Sequence, residues 1–161
     1  ETAVGIKTAD CIPLLFYGTS GQKTLAGAIH AGWRGLAAGI IEHALKKVYD
    51  EFSFPPETLS FFVGPGICRN CYEVSEDVIK KFQEVSKCFK NCVEKSCIAF
   101  KIDLPETART ILTHGQVQEI EMLSLCPKCD TRFHSYRRGD TVKRNHSFLW
   151  YKENQDVLSK M

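Results

Sequence analysis

Apolar and polar positions follow two rhythms along the first third of the chain. Ala3 to Thr8 and Thr24 to His30 (TLAGAIH) are apolar stretches of strand length. Between them, Cys11 to Tyr17 (CIPLLFY) is almost continuously apolar, which predicts a strand buried on both faces. Gly18-Thr-Ser-Gly21 is a turn cluster. From Leu36 the period changes. Leu36, Ile40, Ala44 and Val48 recur every fourth residue, with Ile41 and Leu45 beside them, and predict one helix from Leu36 to Phe52. Phe54-Pro-Pro56 ends it.

Leu59 to Val63 is the next predicted strand, stopped by the sharp turn Gly64-Pro65-Gly66. Ser75 is placed to cap a helix running to about Val85, with Val78, Ile79 and Phe82 facing inward. Lys87 to Ser96 reads as a lysine- and cysteine-rich loop, and Ile98 to Ile102 as a short strand. Pro105 fits the first turn of a helix that ends near Gly115. Val117 to Leu123, Phe133 to Arg137 and Ser147 to Tyr151 are predicted strands, and the last ten residues a frayed tail. The uneven alternation of strands and helices predicts one α/β domain over residues 1–161, with a mixed sheet. A strand almost at residue 1 suggests a domain whose upstream segment is absent.

Composition narrows the function classes. At 161 residues, 43% hydrophobic and 25% charged, the chain suits one folded domain and not a disordered one. No apolar run approaches the roughly 20 residues of a membrane-spanning helix. The 21 basic and 19 acidic residues leave a net charge of +2, too small an excess for a dedicated nucleic-acid binder. Eight cysteines in a chain with ordinary core content and no export signal point to a reducing cytoplasm. There, thiols serve as metal ligands, nucleophiles or small core residues.

Chemistry concentrates in three stretches. In His30-Ala-Gly-Trp-Arg-Gly35 a histidine at a strand end is followed by two turn glycines and Arg34, a forked cation suited to phosphate or carboxylate. The predicted helix behind it would aim its N–H groups at the same anion. The plainer reading is a structural turn with a core tryptophan. In Gly64-Pro-Gly-Ile-Cys68-Arg-Asn-Cys71-Tyr-Glu-Val74, Cys71 precedes a helix, where a thiol is activated. It can equally be an inert buried cysteine. Cys68/Cys71 and Cys126/Cys129 form two Cys-x-x-Cys pairs, but over 50 residues separate them, where zinc ribbons use roughly 15–20. Cys88, Cys92 and Cys97 are further loop thiols. In Phe133-His-Ser-Tyr136-Arg137-Arg138, aromatics and arginines interleaved on a strand can stack on a base and hold a phosphate, or simply cover a solvated face.

Thr8-Ala-Asp-Cys-Ile-Pro13, His30-Ala-Gly-Trp-Arg-Gly35, Gly64-Pro-x-Ile with Cys71-Tyr-Glu-Val74, and Phe133 to Arg138 resemble, in order, the multicopper polyphenol oxidoreductase (laccase) domain family. Its members are also described as purine nucleoside phosphorylases. The resemblance spans nearly the whole chain and lacks about the first third of a full-length member. It implies a layered α/β sandwich like that of a bacterial glutamine-deamidase toxin. It also implies a zinc site whose first two ligands carry over to His30 and Cys71. The family's third ligand is a histidine somewhat under twenty residues on. Ser75 to Cys97 contains none, and Cys88 lies nearest the position. Ala108 stands where the family pattern has asparagine after Asp103-Leu104, and Thr141-Val-Lys-Arg144 loosens its threonine-glycine-arginine.

The resemblance implies a zinc enzyme acting on a small nucleoside and phosphate, with adenosine deamination as a related activity. Arg34, with Arg137 or Arg138, would hold the phosphate. Phe133 or Tyr136 would stack on the base, and Asp10 would orient His30 or handle a proton. Three alternatives stand beside it. One is copper-dependent phenol oxidation, for which the five scattered histidines offer no His-x-His pair. Another is a cysteine hydrolase with Cys71 as nucleophile and His30 as base. The last is a folded member without turnover. Oligomeric state is left open.

Overall fold

A computed structural model describes residues 2–85, 92–95 and 99–151. The order of elements is β1 (Thr2–Thr8), β2 (Ile12–Ser20), β3 (Lys23–Ala31), α1 (Trp33–Ala37), α2 (Ile40–Phe52), β4 (Leu59–Val63), β5 (Glu73–Val74), α3 (Glu76–Val85), β6 (Val93–Lys95), β7 (Phe100–Ile102), α4 (Leu104–His114), β8 (Glu119–Met122) and β9 (Asn145–Tyr151). The predicted mixed α/β class is what the chain adopts.

The central sheet has the order β3-β2-β4-β8. β2 pairs antiparallel with both neighbours, Leu14 opposite Ile29 and Val63, while β4 and β8 run parallel, with Phe61 beside Ile120. β1 and β9 form an antiparallel ribbon from Thr2↔Tyr151 to Thr8↔Asn145 that lies against β3 and β2. A small sheet, β5-β7-β6, completes the strands.

The core lies on the helix-covered face of the central sheet. Ile12, Leu14, Phe16, Leu59, Phe61 and Val63 point into it, and the Phe16 and Phe61 rings stack with centroids 5.0 Å apart. Ile41, Leu45 and Val48 of α2 cover them, with Leu104, Ala108, Ile111 and Leu112 of α4. On the opposite face Leu15 and Phe62 are half-buried and Tyr17 is exposed. There an apolar groove of about 480 Å³ runs between the sheet and β9. Burial of β2 on both faces therefore holds only at its start, since Leu15 lines the open groove and Tyr17 on the same face is exposed.

Two expectations are corrected. The single helix from Leu36 to Phe52 is two helices, because Gly39 adopts φ +74°, a left-handed conformation that ends α1 and opens α2. The helix that starts inside the His30–Gly35 stretch is thus five residues long. Phe133 to Arg137 is not a strand. Tyr136–Arg138 is a single 3-10 turn, capped by the Ser135 side chain accepting the Arg138 N–H, and Asp140 accepts the Ser135 N–H. The buried hydroxyl and the carboxylate satisfy the N–H groups that a neighbouring strand would have taken. Elsewhere, the helix start at Pro105 is sharpened by Asp103, whose carboxylate accepts the Glu106 N–H. The predicted frayed tail, residues 152–161, and most of the predicted loop from Lys87 to Ser96 lie outside the described residues.

Candidate functional site

β1 ends at Thr8, and the turn into β2 places Asp10 at the junction of three segments. Its backbone is left-handed (φ +80°) and it is only 6% exposed. The Asp10 carbonyl accepts the Ile67 N–H at 2.9 Å, and Oδ2 accepts the Arg137 N–H at 2.7 Å. Oδ1 is buried with no donor. A buried carboxylate oxygen without a donor is costly, and such groups concentrate where a ligand completes the bonding. A non-glycine residue held at positive φ by three segments fits the same reading.

Cys11, the residue after Asp10, interacts with the buried Tyr72 phenol and with Arg144. Arg137 lies over the Tyr72 ring at 4.9 Å, and its guanidinium donates to the Glu73 carbonyl. Burial pushes the Tyr72 phenol up against the opposing pull of Arg137 and Arg34, which keeps it neutral near pH 7. Burial, then the Asp10 carboxylate, pushes the neighbouring Cys11 thiol up, with Arg144 pulling it down. Three arginines thus bear on one small region. Gly32, in the His30–Gly35 turn, is needed there because a Cβ would come within 2.9 Å of the Cys11 sulfur. Arg34 itself is exposed and stacks on its neighbour Trp33, 4.6 Å from the ring centroid.

Cys71, the residue before Tyr72, belongs to a thiol cluster. The sulfurs of Cys68, Cys71, Cys126 and Cys129 all lie within 4.8 Å of one another, and Cys71 and Cys129 are 3.3 Å apart. This group can hold a metal ion. It is the one set of three or more His, Cys, Asp or Glu side chains with that capacity among the described residues. Each pair closes a tight turn, Cys71 N–H to Cys68 carbonyl at 3.0 Å and Cys129 N–H to Cys126 carbonyl at 3.1 Å. The Cys68 N–H also donates to the Cys126 sulfur at 3.3 Å. Without a cation, burial and then the neighbouring Cys129 and Cys68 thiols push Cys71 up to about 12. Burial also raises Cys126, but the N–H groups of Cys68 and Cys129 outweigh it and hold that thiol below its ordinary range.

Of the residues singled out from sequence, Asp10 and Arg137 meet through the Arg137 N–H on Asp10 Oδ2, and Cys71 lies in the thiol group. His30 is exposed on β3 opposite Pro13 and is not part of the thiol group. Cys88 lies outside the described residues. Arg138 is engaged within the protein, donating to the carbonyls of Pro127 (2.6 Å), Lys128 and Asp130 and to that of Phe133. Tyr136 is exposed on its turn, and Phe133 is half-buried. Cys11, Tyr72 and Arg144 stand inside the quoted motifs but are not among the site residues predicted from sequence. Cys68, Cys126 and Cys129 are visible in the sequence as members of two Cys-x-x-Cys pairs whose interval is longer than a zinc ribbon's.

The comparisons with known proteins agree with this fold. The family model for multi-copper polyphenol oxidoreductase laccase matches residues 1–152. "Purine nucleoside phosphorylase YfiH" of Shigella flexneri is 33% identical over 150 residues, covering 92% of this chain and 59% of that protein. "Adenosine deaminase RL5", from an unknown prokaryotic organism, is 27% identical over 140 residues, covering 84% and 52%. The crystal structure of Bacillus licheniformis hypothetical protein YfiH superposes with a TM-score of 0.82 at 27% identity, covering 91% of this chain and 56% of that one. The chain therefore spans less than two thirds of the length of these relatives. It belongs to the multi-copper polyphenol oxidoreductase laccase family.

Proposed function

We propose that this chain is the purine nucleoside phosphorylase unit of a cytoplasmic zinc protein, and that nucleoside and phosphate bind at the Asp10 junction. The buried Asp10 Oδ1 without a donor, on a carboxylate whose other oxygen accepts the Arg137 N–H, is the observation that carries the reading. The names of the relatives support the substrate class. The six free cysteines among the described residues support a reducing compartment.

In phosphorolysis a phosphate oxygen bonds to C1′ of the ribose while the bond from C1′ to the base nitrogen breaks. The electron pair leaves with the base, which takes up a proton. Arg34, Arg137 and Arg144 supply the positive field for phosphate. Asp10 Oδ1 accepts an N–H or O–H of the nucleoside and fixes its orientation. Tyr72, neutral at pH 7, offers a phenolic donor, and Tyr136 offers an exposed ring for stacking on the base.

Zinc is the metal we assign. Around Zn²⁺ with Zn–S about 2.3 Å, tetrahedral sulfurs stand about 3.8 Å apart, which the four cysteines can meet with small adjustments. Every step above runs through the chain's own residues. Copper(I) also favours thiolates, so a metal count separates the two.

Purified zinc-loaded protein mixed with inosine should release hypoxanthine and ribose 1-phosphate only when phosphate is present, as read by chromatography. No base release overturns the reading. The RL5 relative supports adenosine deamination as a second activity. Ammonia release from adenosine tests it.

A further inference from the structure

We propose that Cys68, Cys71, Cys126 and Cys129 hold one zinc ion in a closed, structural site, and that this ion braces the Asp10 junction without taking part in the reaction. The inference stands whichever substrate the chain accepts. A catalytic zinc keeps an open position beside three protein ligands, whereas four thiolates fill the tetrahedron.

Four observations carry it. The four sulfurs converge within 4.8 Å, although the pairs are over 50 residues apart. Both Cys-x-x-Cys pairs adopt the same turn, the second cysteine's N–H bonded to the first one's carbonyl, so each presents its two sulfurs in the same way. A backbone N–H already points at a sulfur, from Cys68 to Cys126, the arrangement that supports a thiolate ligand. Finally, Gly66 N–H bonds to the Leu125 carbonyl, and the Arg138 guanidinium clasps the carbonyls of Pro127 and Lys128. The loops carrying the pairs are therefore held around the sulfurs.

The bracing follows from adjacency. Cys71 precedes Tyr72, on which Arg137 stacks. Cys68 follows Ile67, whose N–H bonds Asp10. Cys126 and Cys129 shape the turn held by Arg138, next to the Arg137 N–H that bonds Asp10 Oδ2. One ion thus fixes both loops that define the seat of Asp10.

X-ray absorption on the zinc-loaded wild-type chain reads the ligands directly. Four sulfurs at about 2.3 Å are expected, and an imidazole nitrogen in the first shell overturns the proposal. Cobalt(II) substitution should give intense tetrahedral bands with thiolate charge transfer, and a weak octahedral spectrum counts against it. Cys68→Ser and Cys126→Ser should each weaken zinc affinity at least tenfold, while His30→Ala keeps one zinc per chain. The reverse pattern, or wild-type protein isolated from a reducing buffer with no zinc and unable to take any up, overturns it.

Discussion

The thiol cluster and the Asp10 seat share the same two loops, yet their bonding differs. Around the cysteines every loop is tied: paired turns, a loop-to-loop N–H bond and an arginine holding three turn carbonyls. Around Asp10 a carboxylate oxygen is left buried without a donor on a strained backbone. The first arrangement is built to be rigid. The second keeps bonding capacity for a ligand and draws its stability from the first.

The strongest way to break this contrast is to remove the metal. A site filled at a thousand times its Kd adds about 4 kcal/mol, so a chelator should lower Tm by about 8–16 °C. An unchanged Tm would show that the thiols do not brace the fold. Asp10→Asn should leave zinc content and Tm nearly as they are and lower kcat/KM by about 2–3 kcal/mol, roughly 30- to 150-fold, because a charged acceptor is lost. If Tm falls and kcat/KM does not, Asp10 is structural.

Gly66→Ala tests the link between the regions. A Cβ there would lie 1.8 Å from the Ile12 side chain, so the loop that carries Ile67 to Asp10 must shift. A cost of about 2 kcal/mol in urea unfolding is expected, with a raised KM. Arg137→Lys keeps the charge but loses the fork and the stacking on Tyr72. The KM for phosphate should rise by about 1 kcal/mol, roughly fivefold, with zinc retained. The smallest effect concerns Asp140, whose carboxyl the Ser135 N–H holds below the ordinary range. A lowered folded value means its contribution is present above about pH 4 and lost as pH falls through that lower value. The Ser135 amide NMR signal should therefore stay constant from pH 7 to 5 and move below pH 4.

Much of the fold was legible. The strand at Leu59 to Val63, the inward Ile79 and Phe82, and the helix with Pro105 in its first turn and its end near Gly115 follow from local patterns that the structure keeps. The failures have local causes too. Gly39 broke a periodic stretch, because periodicity does not register one left-handed glycine. Phe133 to Arg137 had the composition of a strand, but Ser135 and Asp140 satisfied its backbone. At the site, Asp10 and Arg137 stood out by motif, whereas Tyr72 and Arg144 matter only through what folds beside them.

The sequence by itself determined most of the elements, the family and the presence of two Cys-x-x-Cys pairs, since these depend on residues close together in the chain. Only the tertiary structure decided that the pairs converge, because chain separation sets no limit once β4 and β8 lie side by side and deliver both loops to one end of the sheet. It alone decided that Asp10 keeps one oxygen without a donor. That depends on which groups Ile67 and Arg137 bring to it across the fold.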